Sequence, residues 1–202
     1  MLGLAWRVAP ADIAETEHLA GIDEPLVAAL NVAVAKARAA AAGRQAEHEI
    51  ILAADTVVVA HGRVLGKPAN ADAAREMLRG LRARPHSVVT GLALHAADGR
   101  EWGGGVSSQI WMRAYGDAEI DAYVARGEPF DKAGGYAIQD AEFRPAERQT
   151  GCYLNVVGLP VCAVAAGLEA LGVEIARPAN LRPPCAYCGR GAPLVAIPPG
   201  VA

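Results

Sequence analysis

A chain of 202 residues, 52% of them hydrophobic, is long enough to bury a core as one domain. Lys and Arg number 19 against 22 Asp and Glu, a formal net charge of −3, which excludes the broad basic surface that nucleic-acid binding uses. No stretch approaches the ~18 uncharged apolar residues of a membrane span, and the N-terminus lacks the basic region and long apolar core of a signal peptide. The expectation is a soluble cytoplasmic protein without a nucleic-acid or membrane partner.

In chain order, Ala5 to Val8 reads as a short strand and Pro10 to Pro25 as an acidic connection carrying Asp12, Glu15, Asp23 and Glu24. Residues 26–43 are so rich in alanine that propensity alone predicts a helix, stopped by Gly43. A β-hairpin over residues 50–66 follows, turning at Gly62. Residues 71–81 form an amphipathic helix with Ala74, Met77, Leu78 and Leu81 on one face. Strands over 87–94 and 104–111 pair around an Asp98-Gly99 turn, and Asp117 caps a helix ending at Gly127. Residues 134–139 and 153–157 read as further strands, and 159–171 as the last helix, stopped by Gly172. Beyond Ala176 the chain is Pro-rich and aperiodic, a tail over 177–202 behind a domain over 1–176. Alternation of helices and strands without a repeat predicts an α/β domain of three layers with a mixed sheet. With only 2 Phe, 3 Trp and 5 Tyr, the layers must pack through small residues.

The stretch 52–68 carries the strongest chemical signal. An apolar run is interrupted by Asp55 and Thr56 before Val57-Val58-Val59, and the hairpin ends at Gly66-Lys67-Pro68. A buried carboxylate without a partner costs several kcal/mol, so Asp55 needs a polar network or a cation. Such a pair of acid and base suits a phosphate and a divalent metal, while a turn-capping aspartate explains the same letters equally well. Lys36 in an alanine helix is ordinarily a solvated lysine, and Lys67 ordinarily a turn residue. The glycines of Asp131-Lys132-Ala133-Gly134-Gly135-Tyr136 either admit a ligand to the backbone or make a turn. No Walker-type GxxxxGK[ST] loop and no GxGxxG fingerprint occurs. Cys152, Cys162, Cys185 and Cys188 are expected as reduced thiols, and the lone Cys185-Ala186-Tyr187-Cys188 falls short of the four ligands of a structural zinc site.

Several segments in order and in register carry a resemblance. They are Ala54-Asp55-Thr56, Leu65-Gly66-Lys67-Pro68, His86-Ser87-Val88-Val89-Thr90-Gly91, residues 128–139 from Glu128 to Gln139, and Asn155-Val156-Val157-Gly158-Leu159-Pro160. Over residues 1–175 the chain resembles the Maf family, septum-formation-inhibitor-like nucleoside triphosphate pyrophosphatases. The resemblance implies a three-layer fold shared with the ITPase-like proteins, having a mixed β-sheet and a central cleft. It implies hydrolysis of nucleoside triphosphates to the monophosphate and pyrophosphate with a divalent cation, Mg²⁺ or Mn²⁺, and a role in removing non-standard nucleotides. Asp55 then matches the family's general base. Thr56 and Gln139 match positions tied to choice of base, as in the branch acting on dTTP and UTP. Lys36 and Lys67 match lysines that face the phosphates, and Glu15, with Asp55, matches an acidic metal or water partner. Homodimerisation is expected from the family alone.

The chain departs from that pattern at its start. The family's first strand and its Ser-x-Ser-Pro-Arg-Arg loop, which grips the triphosphate, have no counterpart ahead of Met1-Leu2-Gly3-Leu4-Ala5-Trp6. A start assigned at an internal methionine is the preferred explanation, and a catalytically impaired nucleotide-binding or regulatory paralogue is the alternative. Asp140 stands where the family usually has glycine, Cys152 where it usually has serine, and Ala14 where it more often has a second acid.

Overall fold

In the computed structural model, which describes residues 4–11, 13–14, 24–43 and 48–176, the first element is helix α1 (Pro25–Ala42). There follow β1 (Ile50–Ala60), β2 (Arg63–Leu65), α2 (Ala71–Leu81), β3 (Pro85–Ala96) and β4 (Glu101–Met112). The chain continues through α3 (Asp117–Ala125), a 3₁₀ turn (Ala133–Gly135), β5 (Ala146–Thr150), α4 (Tyr153–Val156) and α5 (Val161–Ala170).

Local chemistry accounts for most boundaries. Pro25 starts α1 at a position where its missing N–H costs nothing. His61 (φ 52°) and Gly62 (φ 70°) both take positive φ, the backbone that a two-residue hairpin turn requires between β1 and β2. Asn70 Oδ1 accepts from the Ala73 amide at 2.9 Å and caps α2. The Asp98 side chain accepts from the Arg100 amide at 3.0 Å, closing the β3–β4 turn. Gly116, one residue before the expected cap Asp117, is the N-cap of α3, and its amide donates to Glu119 at 2.7 Å.

The sheet has five strands in the order β2-β1-β3-β4-β5, and every pairing is antiparallel. The expected α/β class therefore holds, but among the described residues the sheet is not mixed. The reason lies in the crossover: α2 carries the chain from β2 to β3 running in the same direction, and β1 lies between them, so no parallel pair forms.

Three other expectations also change. Ala5 to Val8 is not a strand. Residues 134–139 form the end of the 3₁₀ turn and a loop, because Gly134 (φ 74°) and Gly135 (φ 68°) cannot sit in a pleated ladder. Residues 153–156 are helical, while the polar Ala146–Thr150 segment, which has no strand-like pattern, forms the edge strand β5.

Side-chain alternation divides the sheet into two faces. On one, Ile51, Ala53, Val57, Val89 and Ala93 pack against α1 through Ala29, Leu30, Ala33, Val34 and Ala37. On the other lie two separate apolar clusters. Val58, Val88, Ile110 and Met112 meet α2, α3 and the ring cluster of Tyr115, Tyr123, Tyr136 and Phe143. Leu92, Leu94, Ala96 and Val106 meet α5 and Cys152. By length and mean hydropathy α1 could cross a bilayer, but Lys36 and Arg38 interrupt its apolar run, in keeping with the sequence expectation. Its apolar surface is used against the sheet, and its Lys36 and Arg38 are held by Asp55 and Glu101.

Candidate active site

β2 pairs only with Val58 to Ala60, so among the described residues β1 from Ile50 to Val57 has no partner strand on that side. Asp55 and Thr56 sit on that edge. Being consecutive in a strand, they project to opposite faces, and a ligand at the edge is the one kind that can touch both.

Asp55 turns toward α1, where Lys36 Nζ donates to its Oδ1 at 2.8 Å; the side chains are 21% and 12% exposed. The carboxylate has the cationic partner its partial burial demands. The approach of α1 depends on Gly91, the cross-strand neighbour of Asp55. A Cβ there would come within 2.6 Å of the Ala29 carbonyl oxygen, so only glycine lets the helix backbone lie this close to β3. Gly105 continues the cradle on β4 beneath Leu26.

Thr56 turns toward α4. Its hydroxyl lies 2.8 Å from that of its cross-strand partner Thr90, and Thr90 donates to the Asn155 carbonyl at 3.2 Å. The Asn155 amide donates to the Val88 carbonyl at 2.9 Å and to the Ser108 hydroxyl at 3.0 Å. Sequence reading gave Thr90 and Asn155 no individual role, although Thr90 interrupts Val88-Val89-Thr90-Gly91-Leu92 just as Thr56 interrupts β1. The polar seam falls between the two apolar clusters of this face.

Lys67 is exposed just past the end of β2. The Gly66 carbonyl accepts from the Gly134 amide at 3.1 Å, which ties this segment to the 3₁₀ turn. A Cβ on Gly134 would come within 3.3 Å of three Val58 side-chain atoms, so its glycine serves a turn and close packing. Asp131 is held below the usual carboxylate range by Lys132, which donates to it at 2.6 Å, and more weakly by the charge of Lys67. Lys132 also donates to the Glu128 carbonyl at 2.7 Å. Gln139 lies exposed in the following turn, and no hydrogen bond joins it to Thr56. The loop is anchored by Tyr136, whose hydroxyl lies 2.6 Å from His86 Nε2. Burial pushes the His86 imidazole down to about 4, so it is neutral at physiological pH.

Lys36 and Asp55 are thus brought into contact, Thr56 joins the edge from the other face, and Lys67 stands beside the Asp131 loop. Glu15, and the Cys185–Cys188 pair with its tail, lie outside the described residues. Cys152 is buried and Cys162 partly buried. Among the described residues no three His, Cys, Asp or Glu side chains gather as a metal cluster.

Comparison with known proteins shows the family to which the chain belongs. The family model described as Maf-like protein matches residues 1–171. A protein named dTTP/UTP pyrophosphatase from Thermomicrobium roseum is 45% identical over 196 residues, covering 93% of this chain and 85% of the relative. A protein of the same name from Geobacter sp. (strain M21) is 44% identical over 174 residues, 84% of this chain and 86% of the relative. Another, from Anaeromyxobacter dehalogenans (strain 2CP-C), is 45% identical over 177 residues, 86% of this chain and 87% of the relative. With its Asp55-Thr56 edge, its Lys67 hairpin and its 128–139 loop all falling within the matched span, this chain belongs to the Maf family.

Proposed function

We propose that this chain hydrolyses nucleoside triphosphates, dTTP and UTP above all, to the monophosphate and pyrophosphate. The observation that carries the reading is the Lys36–Asp55 pair on β1, a carboxylate held in place but left partly exposed. It is supported by the shared name of the relatives above, dTTP/UTP pyrophosphatase.

In this reading water attacks the α-phosphorus, the bond to the α,β-bridging oxygen breaks, and pyrophosphate leaves. Lys36 fixes Asp55 through Oδ1, and the carboxylate orients the water and receives its proton. Lys36 and Lys67 lower the cost of charge gathering on the departing phosphates. Thr56 and Gln139 read the base. A divalent cation such as Mg²⁺ fits the donor chemistry, since one carboxylate with substrate phosphate oxygens and water is its ordinary ligand set. Asp55 is the described residue that would hold it, with Glu15 as the second acid. When bound, the cation supplies charge neutralisation on the phosphates and a more acidic water.

The test is release of pyrophosphate from dTTP and UTP by the purified full chain with Mg²⁺ or Mn²⁺. Asp55→Asn should lower it by about 10²–10⁴-fold; turnover undiminished by this substitution would remove Asp55 from the role of base.

A further inference from the structure

Thr90 is fully buried, and its hydroxyl carries one proton. Two acceptors lie within reach, the Asn155 carbonyl at 3.2 Å and the Thr56 hydroxyl at 2.8 Å. A carbonyl has no proton to give, so the Thr90–Asn155 bond exists only if Thr90 donates. The Thr56–Thr90 bond then exists only if Thr56 donates. The opposite orientation forfeits one bond, and in a buried site a forfeited bond is costly. The relay therefore runs from Thr56 through Thr90 to Asn155. The Asn155 carbonyl is itself fixed, since it also accepts from the Gly158 amide at 3.0 Å.

The consequence concerns what Thr56 offers to a ligand. A free threonine can donate or accept, and so recognises either partner. With its proton committed to Thr90, the part-buried Thr56 hydroxyl has only lone pairs left to offer a ligand. Uracil and thymine carry a proton on ring nitrogen N3, whereas cytosine carries a lone pair there. We infer that Thr90 is a specificity-setting residue: by fixing Thr56 as an acceptor, it makes the site favour the imide edge of uracil and thymine over cytosine. Thr90 acts through Thr56 and touches no substrate, so it is a positioning residue. The inference rests on the nucleotide reading above and adds the origin of the discrimination.

The experiment measures binding of the α,β-methylene analogues of UTP and CTP by calorimetry with Mg²⁺, and pyrophosphate release from UTP and CTP, with the full chain. The unsubstituted protein should favour uridine in both. Thr90→Val, equal in shape and lacking the hydroxyl, should narrow the uridine-to-cytidine ratio by about tenfold or more. Thr90→Ser, which keeps the hydroxyl, should restore it. Thr56→Val, at a partly exposed position, should narrow the ratio similarly and decides the matter even where Thr90→Val folds poorly. Equal losses on both nucleotides in Thr90→Val, or an undiminished preference in Thr56→Val, would overturn the inference. Cleavage of both nucleotides alike by the unsubstituted chain overturns it too and leaves hydrolysis standing. Selective binding of the uridine analogue without cleavage of either nucleotide upholds it and removes hydrolysis instead.

Discussion

Lys36 and Asp55 are joined by one 2.8 Å bond, but their removal should have different consequences. Lys36→Met deletes the cation that compensates a carboxylate only 12% exposed, so Asp55 remains partly desolvated beside an apolar chain. That should cost about 1–3 kcal/mol of stability, read as a lower urea midpoint, because a stranded charge costs more than the pair contributes. Asp55→Asn keeps the shape and an oxygen for Lys36 to bond, so its stability cost should be the smaller. Its catalytic cost should be the larger, about 10²–10⁴ in kcat, the usual worth of a positioned general base. A Lys36→Met protein with the lower kcat of the two would reverse these roles. This pair also marks what the letters alone could say: Asp55 stood out as a carboxylate in an apolar run, but a turn cap explained it equally until Lys36, 19 residues away, supplied the partner.

At the scale of elements, the placement of α1 depends on two glycines that look interchangeable and are not. A Cβ at Gly91 meets helix backbone, including the Ala29 carbonyl at 2.6 Å, which can yield only if α1 lifts from the sheet. A Cβ at Gly105 meets chiefly the Leu26 side chain, which can rotate away, and otherwise comes only to 3.1 Å from the Thr90 carbonyl oxygen. Gly91→Ala should therefore destabilise by about 2–3 kcal/mol and Gly105→Ala by well under that, as overpacking against rigid and flexible neighbours differs. Because Asp55 is the cross-strand neighbour of Gly91, Gly91→Ala should also weaken the Lys36–Asp55 contact and lower kcat. Thermal melts with parallel pyrophosphate assays check both; equal melting shifts would refute the distinction. Elements with strong periodicity or caps, such as α2 behind Asn70, were legible from sequence almost to the residue. Those decided by tertiary context were not. β5 reads as a polar loop, and it is a strand because β4 offers it an edge and Trp111 stacks on Arg148 at 3.5 Å.

Over the whole molecule, two polar links span the face that carries α2 to α5, and neither is readable from local sequence. Thr90 reaches Asn155 across 65 residues, and His86 reaches Tyr136 across 50. Only the folded sheet brings such residues together, so sequence could flag their types but not their partners. The second link gives the fold a pH response. Burial lowers the His86 imidazole from its ordinary 6.5 to about 4, so the folded state resists a proton that the unfolded chain takes up readily. A base shifted downward leaves stability whole above the unfolded value. Stability is then lost as pH falls from about 6.5 toward about 4, where the folded protein protonates as well. Integrated over that window the loss is about 3 kcal/mol, since each pH unit is worth about 1.4 kcal/mol. His86→Gln does not titrate and can still bond the Tyr136 hydroxyl. Its urea midpoint should start lower at neutral pH and fall less steeply on acidification, the gap between the two curves narrowing as pH falls from about 6.5 toward about 4. The Asp131 and Asp140 carboxylates, both held below their ordinary range, are common to the two proteins and cancel in the comparison. Parallel curves would mean that His86 is not the group that destabilises this fold in acid.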